Sequence, residues 1–253
     1  MKALILAGGI GKRLKPITDY VPKSLVPINN IPIIEWQIKY FMKFGVKEFV
    51  ICTGYKSEQI INYLYTKKNL GVKITYSIEK TPMGTGGAIR HARHFIDGKS
   101  FFVMNGDIIT DLDPTQLKSK LNSIALVPLR TAYGVVNLMK DRITRFEEKP
   151  KISDYWINAG IYHLSKEIIP HLPKKGNIEN TAFPILATKG CLRAIKYLNP
   201  FWYSIDSHKD LEECKKRMNS RHYKNFIFKK NDLDEIILQP RFIIVCKRDN
   251  RVF

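Results

Sequence analysis

The first 107 residues alternate between apolar runs of strand length and helical segments, a rhythm that restricts the chain to strand–helix–strand units. "KALILA" reads as a strand, "IPIIEWQIKYFMKFG" as a helix with Pro32 near its start and Gly45 at its stop, and "KEFVICTGY" as the next strand. "SEQIINYLYTK" follows as a helix with Ser57 as its N-cap, then "GVKITYSIE" as a strand, "GTGGAIRHARHFI" as a helix opening and "SFFVMNGD" as a buried strand ending in Asp107. The pattern predicts an α/β fold with a Rossmann-like, mostly parallel central sheet, helices on both faces, and ligand at the carboxyl ends of the strands. Both glycine-rich loops, around Gly9 and around Gly84, fall at such ends. From about residue 125 the strands shorten to "GVVNLM", "RITRFEE" and "INAGIYHL", which predicts a smaller antiparallel portion walling the other side of the cleft.

Composition narrows the partners. With 253 residues, 44% of them hydrophobic, the chain can bury a substantial core as one main domain. Its net charge of +19 points to an anionic partner such as nucleic acid, acidic membrane or phosphorylated metabolite, or else to a Lys-rich surface typical of its source. No zinc finger, RNA-recognition signature or basic-aromatic stripe accompanies that charge, which argues against a nucleic-acid module. Cys52, Cys191, Cys214 and Cys246 are scattered without ligand spacing, which argues against a zinc site or disulfide framework and for a reducing cytoplasm. The opening apolar run is cut by Gly8, Gly9, Lys12 and Arg13 too early for a signal peptide, and nothing approaches a membrane span.

The loop "GGIGKR" fails both common nucleotide fingerprints. A GxGxxG starting at Gly9 would need glycine where Leu14 stands, and no Walker Lys-Ser/Thr pair follows. A dehydrogenase-type binder would also want an acidic ribose partner at the end of the second strand, where "ICTGYK" has none. A glycine turn still lets backbone N–H groups approach phosphate oxygens, and Arg13 and Lys23 add charge-assisted contacts, an arrangement suited to a triphosphate.

Read to its end, "LAGGIGKRLKPITDYVPKSLVPI" resembles the signature of the sugar-1-phosphate nucleotidyltransferases, matching at Gly8, Gly9, Gly11, Arg13, Leu14, Pro16, Thr18, Pro22, Lys23 and Pro27. The likeness continues in order through "EKTPMGTGGAI", "NGD", "YGVV", "FEEKP", "INAGIYHL" and "FWYSIDSHKDLEE", and is strongest to the mannose-1-phosphate and heptose-1-phosphate guanylyltransferases. It implies a catalytic domain over residues 1–220, leaving 221–253 as a short basic extension with no β-helix repeats. That extension reads equally as an edge hairpin, a dimer contact or a vestigial appendage.

The reaction the resemblance implies joins a nucleoside triphosphate to a sugar 1-phosphate and releases pyrophosphate. Such a site must neutralise charge, align two anions in line and hold Mg²⁺, and it needs no general base because the attacking phosphate is already ionised. Arg13, Lys23, Asp107 and Lys149 are the catalytic candidates. Leu6, Ala7, Gly8, Gly9, Gly11, Lys12, Arg13, Glu79, Gly84 and Thr85 take the nucleotide by the same resemblance. In the resembled family the Lys of the EKP motif meets the sugar phosphate and the preceding Glu the sugar hydroxyls, which implies Lys149 and Glu148 here, with Asn105, Gly134 and Asn158 expected to line that side. Asp107 is the expected first metal ligand. The second departs from the common pattern: the position two after Trp202 holds Ser204, whereas Asp206, four after it, has the spacing of the cytidylyl-transferring branch and is the ligand expected here.

Glu79 stands where the thymidylyl branch carries Gln. An ionised carboxylate only accepts hydrogen bonds, and guanine presents two adjacent donors, N1–H and the N2 amine, so GTP is the expected substrate and a mannose-1-phosphate type the expected acceptor. Glucose-1-phosphate thymidylyl or cytidylyl transfer is the alternative, and a non-catalytic regulatory homologue binding nucleotide-sugar is the alternative of another class. The sequence leaves a homo-oligomer open.

Overall fold

The computed structural model describes residues 1–67, 70–131 and 133–219; the 221–253 extension lies outside the described residues. The first half supplies β1 (Lys2–Ala7), α1 (Ile17–Tyr20), β2 (Pro27–Ile28), β3 (Ile31–Pro32), α2 (Ile33–Lys43), β4 (Glu48–Thr53), α3 (Ser57–Thr66), β5 (Lys73–Ile78), α4 (Gly84–His91), β6 (Ser100–Asn105) and β7 (Ile108–Thr110). The second supplies β8 (Ser123–Arg130), β9 (Val135–Met139), β10 (Arg142–Glu147), β11 (Lys151–Ser165), α5 (Ala182–Thr188), β12 (Arg193–Lys196), β13 (Trp202–Ser204) and α6 (His208–Met218). A seven-stranded sheet in the order β12-β8-β11-β6-β1-β4-β5 forms the centre. Its strands run parallel except β11, which is antiparallel to both β6 and β8.

The apolar strands are continuous rather than alternating because both faces of the sheet are covered. Ile5, Ile51, Phe102 and Ile161 pack on one side with α2, while Leu4, Val50, Val103 and Leu164 pack on the other beneath α4 and α5. A third apolar cluster holds Leu14, Val26, Trp36 and Ile109 against Ile205 and the Leu211, Cys214 and Met218 face of α6. This cluster ties the opening loop to the far end of the described chain.

Two expectations change. "INAGIYHL" does not sit in a separate antiparallel portion; it lies within β11, inside the main sheet between β6 and β8, and only the β9–β10 hairpin forms an antiparallel sheet of its own in that region. The apolar run Ala159, Ile161, Tyr162 and Leu164 is fully buried, which is what a central strand demands and an edge strand does not. Ser57 is the first residue of α3 rather than its cap. The chain turns through a Ser57 N–H to Gly54 carbonyl bond, and Lys56, at φ 51°, takes the cap position without any side-chain bond.

The β9–β10 hairpin is amphipathic. Its register, with a shift between Ile143 and Arg145, keeps Val136, Leu138, Ile143 and Phe146 on one face. Among the described residues no helix is long and apolar enough to cross a membrane.

Candidate active site

Sheet register brings the site together. In the pairing of β1 with β6, Leu6 lies opposite Asn105, so the loop leaving β1 and the NGD turn leaving β6 emerge side by side at the carboxyl edge. Gly106 donates its N–H to the Leu6 carbonyl at 3.0 Å, and a Cβ there would lie 2.3 Å from that oxygen. Only glycine allows the turn to lie so close to β1. From behind, the buried Gln37 side chain donates to the Asn105 and Ile108 carbonyls at 2.8 and 3.0 Å, fixing the backbone on both sides of Asp107.

The glycine-rich loop is held by its own signature. Gly11 has φ 69°, and a Cβ there would fall 2.9 Å from Thr18 Cγ2 and 3.0 Å from Lys23 Cβ. Thr18 Oγ1 donates to the Gly11 carbonyl at 2.9 Å. Gly11, Thr18 and Lys23 of the motif therefore pack as one unit, which directs Lys23 inward.

Lys23 Nζ then meets Asp107 Oδ2 at 2.7 Å and Asp206 Oδ1 at 2.9 Å, while Arg13 Nη2 reaches Asp206 Oδ1 at 2.9 Å. Asp206 arrives there because β13 pairs with β7, Ser204 opposite Ile108, and the Ile205 N–H bonds the Asp107 carbonyl at 2.8 Å. Burial alone would raise the Asp206 pKa, but Lys23, Ser204 and Arg13 outweigh it and hold the carboxylate below its ordinary range. Ser204 donates to Asp206 Oδ2 at 3.0 Å, so it supports the carboxylate rather than replacing it. Asp111 and Asp113 are spent elsewhere, on the Phe201 N–H and on Thr115.

Leu6, Ala7, Gly9, Gly11, Lys12, Arg13, Lys23, Asp107 and Asp206 all line one cleft, together with Ser24 and Gly106, which the sequence reading did not name as site residues. Gly106 was legible in principle as the middle of NGD. Ser24 carried no signal beyond its place after Lys23.

The remaining candidates fall into two further groups. Glu79, only 9% exposed, directly follows β5 beside Gly8 and accepts the Met83 N–H at 3.0 Å. Burial raises its pKa, with the Met83 N–H and His91 opposing. Gly84 and Thr85 open α4 away from the cleft lining, and the Thr85 donors are already engaged, its N–H by Asn177 and its hydroxyl by Glu179. On the other side, Asn158 donates to the Tyr162 hydroxyl at 2.8 Å, with Asn105 close to the same hydroxyl. Gly134, Glu148 and Lys149 stand at the root of the hairpin, with Phe146 stacked against Gly134 and a Lys149–Glu148 separation of 3.8 Å. Both charged side chains are exposed, and the structure does not bring them into the cleft lining.

Residues 2–218 match the family model described as "Nucleotidyl transferase". Over 173 residues the chain is 42% identical to a D-glycero-alpha-D-manno-heptose 1-phosphate guanylyltransferase of Campylobacter jejuni, covering 66% of this chain and 77% of that protein. It is 38% identical over 225 residues to the mannose-1-phosphate guanylyltransferase catalytic subunit beta of Dictyostelium discoideum, covering 83% of this chain but only 62% of that protein's length. Among solved structures, HddC from Yersinia pseudotuberculosis superposes with a TM-score of 0.70 at 29% identity, covering 86% of this chain and 99% of that one; a second structure of HddC is complexed with GMP-PN. Since the family match runs from the first strand of the sheet to the last described helix, the chain belongs to the nucleotidyl transferase family.

Proposed function

We propose that this enzyme transfers a guanylyl group from GTP to a sugar 1-phosphate of the mannose or heptose type, releasing pyrophosphate and a GDP-sugar. The observation that carries the base assignment is Glu79. Its carboxylate is held against the glycine-rich loop, with Oε1 3.2 Å from where a Gly8 Cβ would stand. One oxygen is engaged by Met83, so the group faces the loop as an acceptor, the partner that the adjacent N1–H and N2 amine of guanine require. Uracil and thymine offer one donor between two acceptors that a carboxylate repels. The GMP-PN bound to the HddC neighbour and the names of the guanylyltransferase relatives support the same base.

The cleft fits a divalent cation. Two carboxylates from separate strand ends already bracket one positive charge, the Lys23 ammonium, and no group of three or more metal-ligating side chains occurs among the described residues. Mg²⁺ commonly uses one or two carboxylates and takes its other ligands from phosphate and water, so Asp107 and Asp206 would hold it. Bound there, the ion would supply positive charge to the triphosphate oxygens. Lys12 and Arg13 face the same anion from the loop, and Lys23 is placed to move from the carboxylates to phosphate. An oxygen of the sugar phosphate attacks the α-phosphorus, the bond to the bridging oxygen breaks, and pyrophosphate leaves with the electron pair.

Glu79→Gln puts a donor where guanine needs an acceptor. The GTP preference over UTP or dTTP is expected to narrow by about 1–3 kcal/mol, the worth of one charged hydrogen bond. The preference should also fall in the wild type as pH drops through the raised Glu79 pKa, because the protonated carboxyl loses its double-acceptor character. Measured kcat/KM ratios for GTP, CTP, UTP and dTTP test both; a flat ratio in the variant, or a wild type preferring UTP or dTTP, means that the base is read elsewhere.

Lys149 is assigned to the sugar phosphate, which requires its exposed hairpin root to approach the cleft once substrate is bound. Lys149→Ala is expected to raise the KM for mannose 1-phosphate roughly ten-fold with less effect on GTP. Unchanged sugar-phosphate dependence would return Lys149 to the surface of the hairpin.

A further inference from the structure

Glu179 belongs to none of the motifs above, yet its carboxylate is shared between the opening of α4 and β11. Thr85 Oγ1, at the opening of α4, donates to Oε2 at 2.6 Å. Tyr162, on β11, donates its hydroxyl to Oε1 at 3.1 Å. Each hydroxyl has its other role taken as well: Thr85 Oγ1 accepts the Ile178 N–H at 2.9 Å, and the Tyr162 oxygen accepts Asn158 Nδ2 at 2.8 Å. Asn158 Oδ1 in turn accepts the Gly160 N–H at 2.9 Å.

Every proton in this chain therefore points toward Glu179. The direction is set by one property, an ionised carboxylate that accepts at both oxygens. With that charge in place, the exposed Asn158 has its amide orientation decided from the nucleotide side of the molecule. If the Tyr162 hydroxyl turned away from Glu179, Asn158 would lose either Tyr162 or Gly160, and without the Thr85 bond the carboxylate that fixes Tyr162 is held by one bond fewer.

We propose that Glu179 is a positioning residue that couples the nucleotide subsite at Gly84–Thr85 to the sugar-phosphate subsite at Asn158. The inference rests on the function proposed above and on the family resemblance, which implies Gly84 and Thr85 for the nucleotide and Asn158 for the sugar. A glutamine at this position can accept only through its oxygen. Its amide must donate to Thr85 or to Tyr162, so one hydroxyl is left with a proton and no acceptor, and the reversal travels to the other side.

The test is a cross-measurement. Thr85→Val removes a hydroxyl on the nucleotide side, and Tyr162→Phe removes one on the sugar side. The coupling predicts that Thr85→Val raises the KM for mannose 1-phosphate at saturating GTP, and that Tyr162→Phe raises the KM for GTP at saturating mannose 1-phosphate, each about five-fold. Adding Glu179→Gln to either should produce little further cross-effect, because the link is already broken. Thermal midpoints of each variant separate this from general loosening, which would lower the midpoint in step with the rise in KM, whereas the coupling raises the cross-side KM in a variant whose midpoint stays close to the wild type's. If Thr85→Val moves only the GTP constant and Tyr162→Phe only the sugar constant, the coupling is overturned, and this pair decides the matter even if Glu179→Gln does not fold. A wild type that shows no transfer with any triphosphate and sugar phosphate overturns the function itself, and the coupling with it.

Discussion

Asp107→Asn is expected to cut pyrophosphate release by roughly a hundred- to a thousand-fold, the rate equivalent of several kcal/mol of lost charge stabilisation at the phosphates. The amide keeps the volume and the turn. Gly106 still bonds Leu6, and Gln37 still holds the carbonyls on either side, so the fold should survive with a thermal midpoint close to the wild type's. Lys23 loses one of two carboxylate partners and keeps Asp206 at 2.9 Å. A divalent cation, in contrast, exchanges an anionic ligand for a neutral one, which it holds much more weakly. The check is pyrophosphate release with saturating Mg²⁺, together with calorimetric Mg²⁺ or Mn²⁺ binding in the presence of GTP. Near-normal turnover in a folded variant would remove Asp107 from the metal.

The second large effect separates Asp206 from Ser204. Asp206→Asn removes the charge that Arg13 and Lys23 both meet, and activity should again fall by roughly two to three orders of magnitude. Ser204→Ala removes a single hydroxyl that donates to Asp206 Oδ2, a neutral-to-charged bond worth about 1–3 kcal/mol at most, and much of that is returned by solvent at a half-exposed site. A loss of a few-fold is expected. The order of the two losses is the informative quantity: if Ser204→Ala were the more damaging, the metal would be read through the register common elsewhere in the family and Asp206 would be only a partner for Arg13.

How far the site was legible depended on how local each signal was. Asp107, Asp111 and Asp113 look equivalent as a string of acids after a buried strand. The structure separates them, because Asp111 accepts the Phe201 N–H and Asp113 caps a turn through Thr115, leaving Asp107 on the cleft. The parallel strands through Asn105 were legible because a strand covered on both faces must be apolar at every position. The same rule was available for "INAGIYHL", whose buried Ala159, Ile161, Tyr162 and Leu164 mark a central strand; its position late in the chain, among short strands, suggested a separate sheet instead. Glu179 was invisible, since a lone Glu in "NIENTAFP" acquires meaning only from Thr85 and Tyr162, 94 and 17 positions away.

By itself the sequence determined the strand–helix order, the family signature and the glycine turn of the opening loop, because periodicity, steric freedom and motif spacing are properties of neighbouring residues. Only the tertiary structure decided that Lys23 lies between Asp107 and Asp206, residues 84 and 183 positions away from it. That convergence depends on β13 pairing with β7 and on the apolar cluster that fastens α6 to the opening loop, contacts made between segments far apart in the chain. The physical reason is that Coulomb attraction acts over a few ångströms of space and knows nothing of sequence distance, so a charge constellation exists only after the sheet has brought its strand ends to one edge.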